Sequence, residues 1–380
     1  MAIVEGVLGA QQNWDVVTTV TMTPDDRFAI SGGDDNILRK HDLASGVEVC
    51  TQQNAHSMGV WRARCASNGE FVVTRGVDEK FFKVWKTENL ELIQQVEGHD
   101  GRVMCVAISP TSTTIASGDY GGIVKIWEKK GSGGSWECKK TWKGDRYVVN
   151  AVVFSPDNAM LATGGGDETI KVYDVASNYS LLHTLEGHTN TIYSLSFSPD
   201  STRLCSGSDD KSIKLWNPKE GSLVASVNNA HTDWVRSVAH SPNGKLIASG
   251  SWDKTIKIWD AKTLEPKHTY DNLHTDWVED VTFTPNDSFL LSASNDKTVR
   301  VTKVKGAYID EMKEIVLVAS RRFRVIVHNT HGTEVEKVEA ARLQYPMLFP
   351  SMEDQTAGDF LKLIRGGIRG GVLSEILSFI

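Results

Sequence analysis

The sequence has little of several things that mark other classes of protein. Its five cysteines, Cys50, Cys65, Cys105, Cys138 and Cys205, are odd in number, widely spread and free of any C-x-x-C pair. That excludes a disulfide framework and points to free thiols in a reducing compartment, the cytoplasm with the nucleus as an alternative. No uninterrupted apolar run approaches the roughly 20 residues of a membrane helix. The first apolar stretch contains Glu5 and lacks a basic flank, so no signal peptide is read there. Positive charge is not in excess: 41 Lys and Arg face 48 Asp and Glu, a net charge of -7. A direct nucleic-acid binder needs clustered cations, so that class is set aside. Mild acidity leaves room for a basic peptide partner without demanding one. At 40% hydrophobic and 23% charged, the composition is that of an ordinary globular protein. A length of 380 residues calls for two or three domains or one large repeat architecture.

A repeat is present. Residues 207–216 read GSDDKSIKLW, 250–259 GSWDKTIKIW, 293–302 ASNDKTVRVT and 164–173 GGGDETIKVY. The motif Asp falls at Asp35, Asp78, Asp167, Asp210, Asp253 and Asp296, with Gly121 in the third slot, giving steps of 43, 43, 46, 43, 43 and 43. Four short strands and their turns fill such a period, which predicts an all-β, seven-bladed propeller over residues 1–304. The three extra residues follow Trp127, where Gly131 to Ser135 reads as a hairpin loop. In the sixth repeat, Val235 to His240, Lys245 to Ser249 and Thr255 to Trp259 read as strands. Ser241-Pro242-Asn243-Gly244 turns the chain between the first two, as Ser198-Pro199-Asp200, Ser155-Pro156-Asp157 and Thr23-Pro24-Asp25 do elsewhere.

Counting back 22 from the motif position lands on His56, His99, His188, His231 and His274. Counting back four lands on Ser31, Thr74, Ser117, Thr163, Ser206, Ser249 and Ser292, and forward six on Trp127, Trp216 and Trp259. Trp85 is seven on, which implies one extra residue in that hairpin. These residues resemble the WD-repeat family, whose blades each hold a buried His, Ser/Thr, Asp and Trp tetrad. The likeness is complete in repeats five and six: His188, Ser206, Asp210, Trp216, and His231, Ser249, Asp253, Trp259. A buried Asp needs donors, and a hydroxyl, an imidazole and an indole N–H can supply a connected chain. The same residue types suggest a Ser-His-Asp hydrolase, but a catalytic constellation occurs once and this one recurs blade after blade. The histidines lie a blade apart, so no metal site is read, and no cofactor. The pattern breaks at Asn13 and His41, at Gly121, at Asp145 and Tyr173, and at Thr302. Those blades should rest more on apolar packing, with lower local stability in blades 1 and 7.

Ring closure is expected from Ile3 to Leu8 as the last strand of blade 7. Val4-Glu5-Gly6 looks like Val96-Glu97-Gly98, although the repeat register puts that glycine six residues later.

The resemblance also implies a binding face, the one carrying the His loop and the Asp turn. The third and fifth residues after the His and the residue before the Asp point there. By position these are Arg102, Met104 and Tyr120; Thr191, Tyr193 and Asp209; Trp234, Arg236 and Trp252; Trp277, Glu279 and Asn295; and Trp61. Trp234, Trp252 and Trp277 on neighbouring blades form the sharpest candidate, since Trp, Tyr and Arg are enriched in binding hot spots. Asp34, Asp209 and Glu279 are placed to meet a basic side chain.

The expected function is a non-catalytic scaffold for a protein or peptide, a monomeric propeller within a hetero-complex, with no membrane contact. The alternatives are a constitutive structural subunit and a ubiquitin-ligase substrate receptor. The latter rests on Trp259-Asp260-Ala261-Lys262, where Lys replaces the Arg of a W-D-x-R box. Residues 305–380 carry ten basic and ten acidic residues and no repeat. There Ile315 to Ala319 and Phe323 to His328 read as strands. Thr333 with Glu336 reads as a capping box, and Phe360 to Ile364 and Val372 to Ile380 as helical pieces, an α+β extension of unknown function.

Overall fold

A computed structural model describes residues 6–8, 15–131 and 134–304. The expectations for 305–380 lie outside these residues, as does the Ile3 to Glu5 part of the closing strand. Among the described residues the chain forms twenty-eight strands in seven four-stranded antiparallel sheets, the blades of a propeller. Blade 1 runs Val17–Met22, Phe28–Gly33, Leu38–Asp42 and Glu48–Gln52, from the central channel to the rim. The repeat strands of blade 6 fall at Val235–His240, Leu246–Ser251 and Ile256–Asp260, within two residues of the sequence reading.

Local chemistry sets the turns. In Ser155-Pro156-Asp157 the serine Oγ donates to Asp157 (2.6 Å) and accepts from the Met160 N–H (2.8 Å), while Asn158 adopts φ 57°. The hydroxyl and the carboxylate thus stand in for the ladder that Pro interrupts. In Asp253-Lys254-Thr255 the carboxylate accepts from the Thr255 N–H (3.0 Å) and Lys254 takes φ 73°.

The second strand of each blade is sandwiched between neighbouring blades, so Phe71–Gly76, Met160–Gly165 and Leu246–Ser251 are buried at every position. The rim strand Leu92–Glu97 is mostly exposed. The apolar core is divided into seven clusters, each joining two adjacent blades. Trp216, for instance, packs with Ile170, Val172 and Leu185 of blade 4. No blade buries its apolar faces alone, so the ring is the cooperative unit.

The ring closes where expected. Gly6–Leu8 pairs antiparallel with Val299–Lys303, matching Leu8 to Val299 and Gly6 to Val301. In blade 2 the equivalent partner of Val96 is Phe82. Leu8 therefore stands where Val96 does, and the likeness of Val4-Glu5-Gly6 to Val96-Glu97-Gly98 is four residues out of register. The step from Leu8 to Val17 is nine positions, against seven from Val96 to Val103, so the closing loop is the longer one.

Candidate partner-binding face

Each innermost strand carries a bulge at one place. The ladder skips from Val60 to Arg62, Val103 to Cys105, Ile192 to Ser194, Val235 to Ser237 and Val278 to Asp280. A bulge re-aims side chains. The skipped residues are Trp61, Met104, Tyr193, Arg236 and Glu279, the fifth-after-His positions. A second device joins the other two positions: the residue before the Asp donates its N–H to the carbonyl of the third residue after the His. It holds for Trp252 to Trp234 (3.0 Å), Asn295 to Trp277 (2.9 Å), Asp209 to Thr191 (2.9 Å) and Tyr120 to Arg102 (2.8 Å).

On blades 5 to 7 these devices build one connected cluster. Tyr193, Trp234, Trp252 and Trp277 stack in a row, with ring centroids 6.4, 4.4 and 4.1 Å apart and planes within 17°, 25° and 10°. Beneath the row the Arg236 guanidinium lies 4.0 Å from the Tyr193 ring and 5.1 Å from that of Trp252. Glu279 accepts from Arg236 Nε (3.2 Å) and from Trp252 Nε1 (2.9 Å). Tyr193, Trp234 and Trp252 are half-buried, and Trp277 at the end of the row is 38% exposed. Arg236 and Asp209 are buried below. Burial pushes the Asp209 carboxyl up to about 7 against the pull of Arg236, and its Oδ1 has no hydrogen-bond partner.

The remaining candidates stand apart from this cluster. Trp61 Nε1 donates to Asp34 (3.1 Å). Arg102 pairs with Asp78 and lies 4.4 Å from the ring of Tyr120, which is exposed.

Below the face run the polar networks. In blade 6, His231 Nδ1 lies 2.9 Å from Asp253, and Nε2 lies 2.7 Å from Ser249 Oγ, which accepts from Trp259 Nε1 (2.8 Å). A carboxylate only accepts, so Nδ1 carries the proton and the serine hydroxyl donates to Nε2. Blade 5 repeats this with His188, Asp210, Ser206 and Trp216 at 2.8, 2.7 and 2.9 Å. Burial works to raise the Asp210 and Asp253 carboxyls, but their histidine bonds outweigh it and hold both far below the usual range. The family model described as "WD domain, G-beta repeat" matches residues 5–42, 90–128, 136–174, 179–217, 221–260 and 264–302.

The chain belongs to the WD40 family.

Among curated relatives, "WD repeat-containing protein SL1-17" of Schistosoma mansoni is 28% identical over 134 residues, 33% of this chain and 42% of that protein. "Nuclear distribution protein nudF" of Aspergillus flavus is 36% identical over 98 residues, 24% and 20% of the two chains. "Striatin-4" of Mus musculus is 29% identical over 164 residues, 40% and 21%. The chain thus spans less than half the length of these relatives.

The six matched segments omit residues 43–89, yet a WD40 blade stands there. Its tetrad departs from the counted positions. The acid is Glu79, not the Asp78 that fixed-step counting selects. Glu79 bonds His56 Nδ1 and accepts from the Ser57 N–H (2.9 Å), while Thr74 Oγ1 meets His56 Nε2 and Trp85 Nε1, both at 2.7 Å. In blade 3 the acid is Asp119, two residues before Gly121: its carboxylate lies 2.9 Å from His99, and Ser117 joins His99 (2.6 Å) to Trp127 (2.8 Å). Trp85, seven residues past Asp78 but six past Glu79, was the available signal for the first. A carboxylate inside a Gly-rich turn was the signal for the second. Blades 1, 4 and 7 depart as the sequence indicates. His41 reaches Ser31 (3.3 Å) in blade 1. In blade 4 the buried Asp145 carboxyl, raised to about 6 by burial, sits against Asp167. In blade 7 His274, Ser292 and Asp296 are joined at 2.7 and 2.8 Å, with Thr302 in the Trp slot. Among the described residues, no three His, Cys, Asp or Glu are grouped to hold a metal ion, and no helix is long and apolar enough to cross a membrane.

Proposed function

We propose that this WD40 chain is a non-catalytic interaction platform, docking a protein or peptide on the face that carries the Tyr193–Trp234–Trp252–Trp277 row. The carrying observation is the row itself. Four large rings are held in one orientation across three blades, with Arg236 and Glu279 locking them from below. Such a surface is pre-ordered, so a partner loses little of its binding energy to immobilising side chains. Trp and Tyr offer large area at low entropic cost. Arg102 and Tyr120 on blade 3 and Trp61 on blade 2 extend the surface. A partner in the cytoplasm or nucleus suits the free-thiol chemistry.

The test is a pull-down from native extract with the wild type beside Trp234→Ala/Trp277→Ala, after both are shown to melt alike. Loss of a partner only in the variant supports the reading, and unchanged partners reject it. A second reading, a permanent structural subunit, is favoured by apolar pairs on the rim strands: Leu92 with Ile93, Leu181 with Leu182, and Leu223 with Val224, all 41–55% exposed. That reading expects the isolated chain to self-associate on sizing columns. The ligase-receptor reading has no such support, because Trp259 spends its N–H on Ser249 and Asp260 caps its own turn at the Lys262 and Thr263 N–H groups.

A further inference from the structure

The residue after the tetrad hydroxyl is Gly32, Gly118, Gly164, Gly207 and Gly250 in five blades and Ala293 in a sixth. In blade 2 it is Arg75. The small residues have a reason: a Cβ at Gly207 or Gly250 would stand 2.7 Å from Cγ1 of Val235 or Val278 in the next blade. Blade 2 instead places the longest cationic side chain there and buries it, 6% exposed.

Its environment lacks what a buried cation ordinarily has. The guanidinium lies 5.3 Å from the Trp61 ring, and its one hydrogen bond, to the Gly76 carbonyl, is 3.5 Å long. Nε has no hydrogen-bond partner. Among the described residues no carboxylate is within 4.0 Å of it, whereas Arg62, Arg64 and Arg236 all bear on it as like charges. The two nearby carboxylates are already engaged. Asp280 serves Arg62 (3.1 Å) and Arg64 (3.3 Å), and Glu279 serves Arg236 (3.2 Å). Burial first, then Arg62, press Arg75 down to about 9, still charged at neutral pH. Arg62, whose charge bears on Arg75, lines a channel cavity of about 180 Å³ with Arg64, Cys105, Asn150 and Tyr193.

We propose that the blade 2 side of the channel is an oxyanion site, anchored by Arg75 with Arg62 beside it, for a free phosphate-like anion or the carboxylate of a docked partner. A guanidinium fork whose buried Nε–H lacks a partner can meet an oxyanion in two-point geometry. The free-anion case stands independently of the aromatic row, and the carboxylate case rests on the face being a docking surface. The shared chemistry is tested without any partner.

The full chain is melted at pH 7 in chloride, inorganic phosphate and acetate at matched ionic strength, as wild type, Arg75→Gly and Arg75→Met. Glycine is what five blades already carry, and methionine keeps volume while losing the charge. The expected result is a wild-type rise in Tm of roughly 2 °C in the binding anion that both variants lose. A response to phosphate alone assigns a free anion, and an equal or larger response to acetate assigns a carboxylate. No response to either anion, or the same response in Arg75→Met, overturns the site. In chloride both variants should melt at or above wild type, because an unpaired buried cation is gone. A fall of more than about 5 °C in both would show that Arg75 is already satisfied within the protein, and would overturn the proposal equally.

Discussion

In blades 5 and 6 every tetrad member is answered inside its own blade: Ser206 and Ser249 each join a histidine to a tryptophan, and Asp210 and Asp253 each hold the histidine. Around the junction of blades 7, 1 and 2 a further set of polar ties runs between blades. Asp280, on the innermost strand of blade 7, accepts from Thr19 Oγ1 (3.0 Å) and the Val20 N–H (3.3 Å) of blade 1. It accepts also from Arg64 of blade 2 and Ser237 Oγ (3.0 Å) of blade 6, and is ion-paired with Arg62 of blade 2. Lys40 of blade 1 donates to the Thr87 (2.9 Å) and Glu88 (3.1 Å) carbonyls of blade 2. Burial works to raise the Asp280 carboxyl, and Arg64, Arg62 and the hydroxyls outweigh it and hold it low. The comparison teaches that a propeller can trade an incomplete network within a blade for one spanning several. Blades 1 and 7, expected to lean on apolar packing, share this carboxylate.

Four measurements test that contrast. The largest effect is expected from Asp280→Asn, which leaves the largely buried Arg62 and the part-exposed Arg64 without their carboxylate and should cost about 3 kcal/mol in chemical denaturation. Its hydrogen-exchange protection should fall in blades 7, 1, 2 and 6 and not in blade 4. Next comes a matched pair. Ser249→Ala orphans both His231 and Trp259, about 2–3 kcal/mol, whereas Ser292→Ala orphans only His274, about 1–2 kcal/mol. Equal losses would mean that the Trp bond contributes nothing.

A smaller, pH-dependent effect belongs to blade 4. Burial, then the proximity of Asp167, holds Asp145 at about 6, above its ordinary 3.8. The folded state therefore favours the protonated carboxyl, and the resulting stabilisation is present below about pH 4 and lost as pH rises to 6. Asp209, raised to about 7, adds a slope of the same sign. Asp145→Asn should flatten the part of the Tm profile between pH 4 and 6, and Asp209→Asn the part reaching pH 7. A wild-type Tm that climbs over that range with both variants parallel to it would refute the assignment. The smallest effect is Arg102→Ala at the exposed pair with Asp78, within about 0.5 kcal/mol, readable only by careful denaturant titration.

Much of this was legible from spacing. The strands, the turns, the closing strand at Leu8 and the tetrads of blades 5 and 6 follow from a period that the chain repeats with few insertions. Legibility failed where one residue slips inside a turn. Counting selects Asp78 and Gly121, but side-chain reach lets Glu79 and Asp119 take the role. The bulged positions follow the same count, because the bulge recurs at one place in every blade. How the rings stack was not, since that depends on rotamers and on Glu279 bridging Arg236 to Trp252. Arg75 was visible as a break in a run of Ser-Gly and Thr-Gly pairs. Its burial without a counter-charge emerges only when the channel arginines are placed together.

The closing strand has a consequence for how the protein is made. Gly6–Leu8 leaves the ribosome almost three hundred residues ahead of its partner Val299–Lys303. During that interval the strand has unanswered N–H and C=O groups, and the apolar flank of blade 1 that packs on blade 7 is uncovered. Synthesis therefore passes through an open arc with two sticky ends. A stall before residue 299 would release a chain that can pair with its neighbour's closing strand, and such a chain is the natural substrate for chaperone capture.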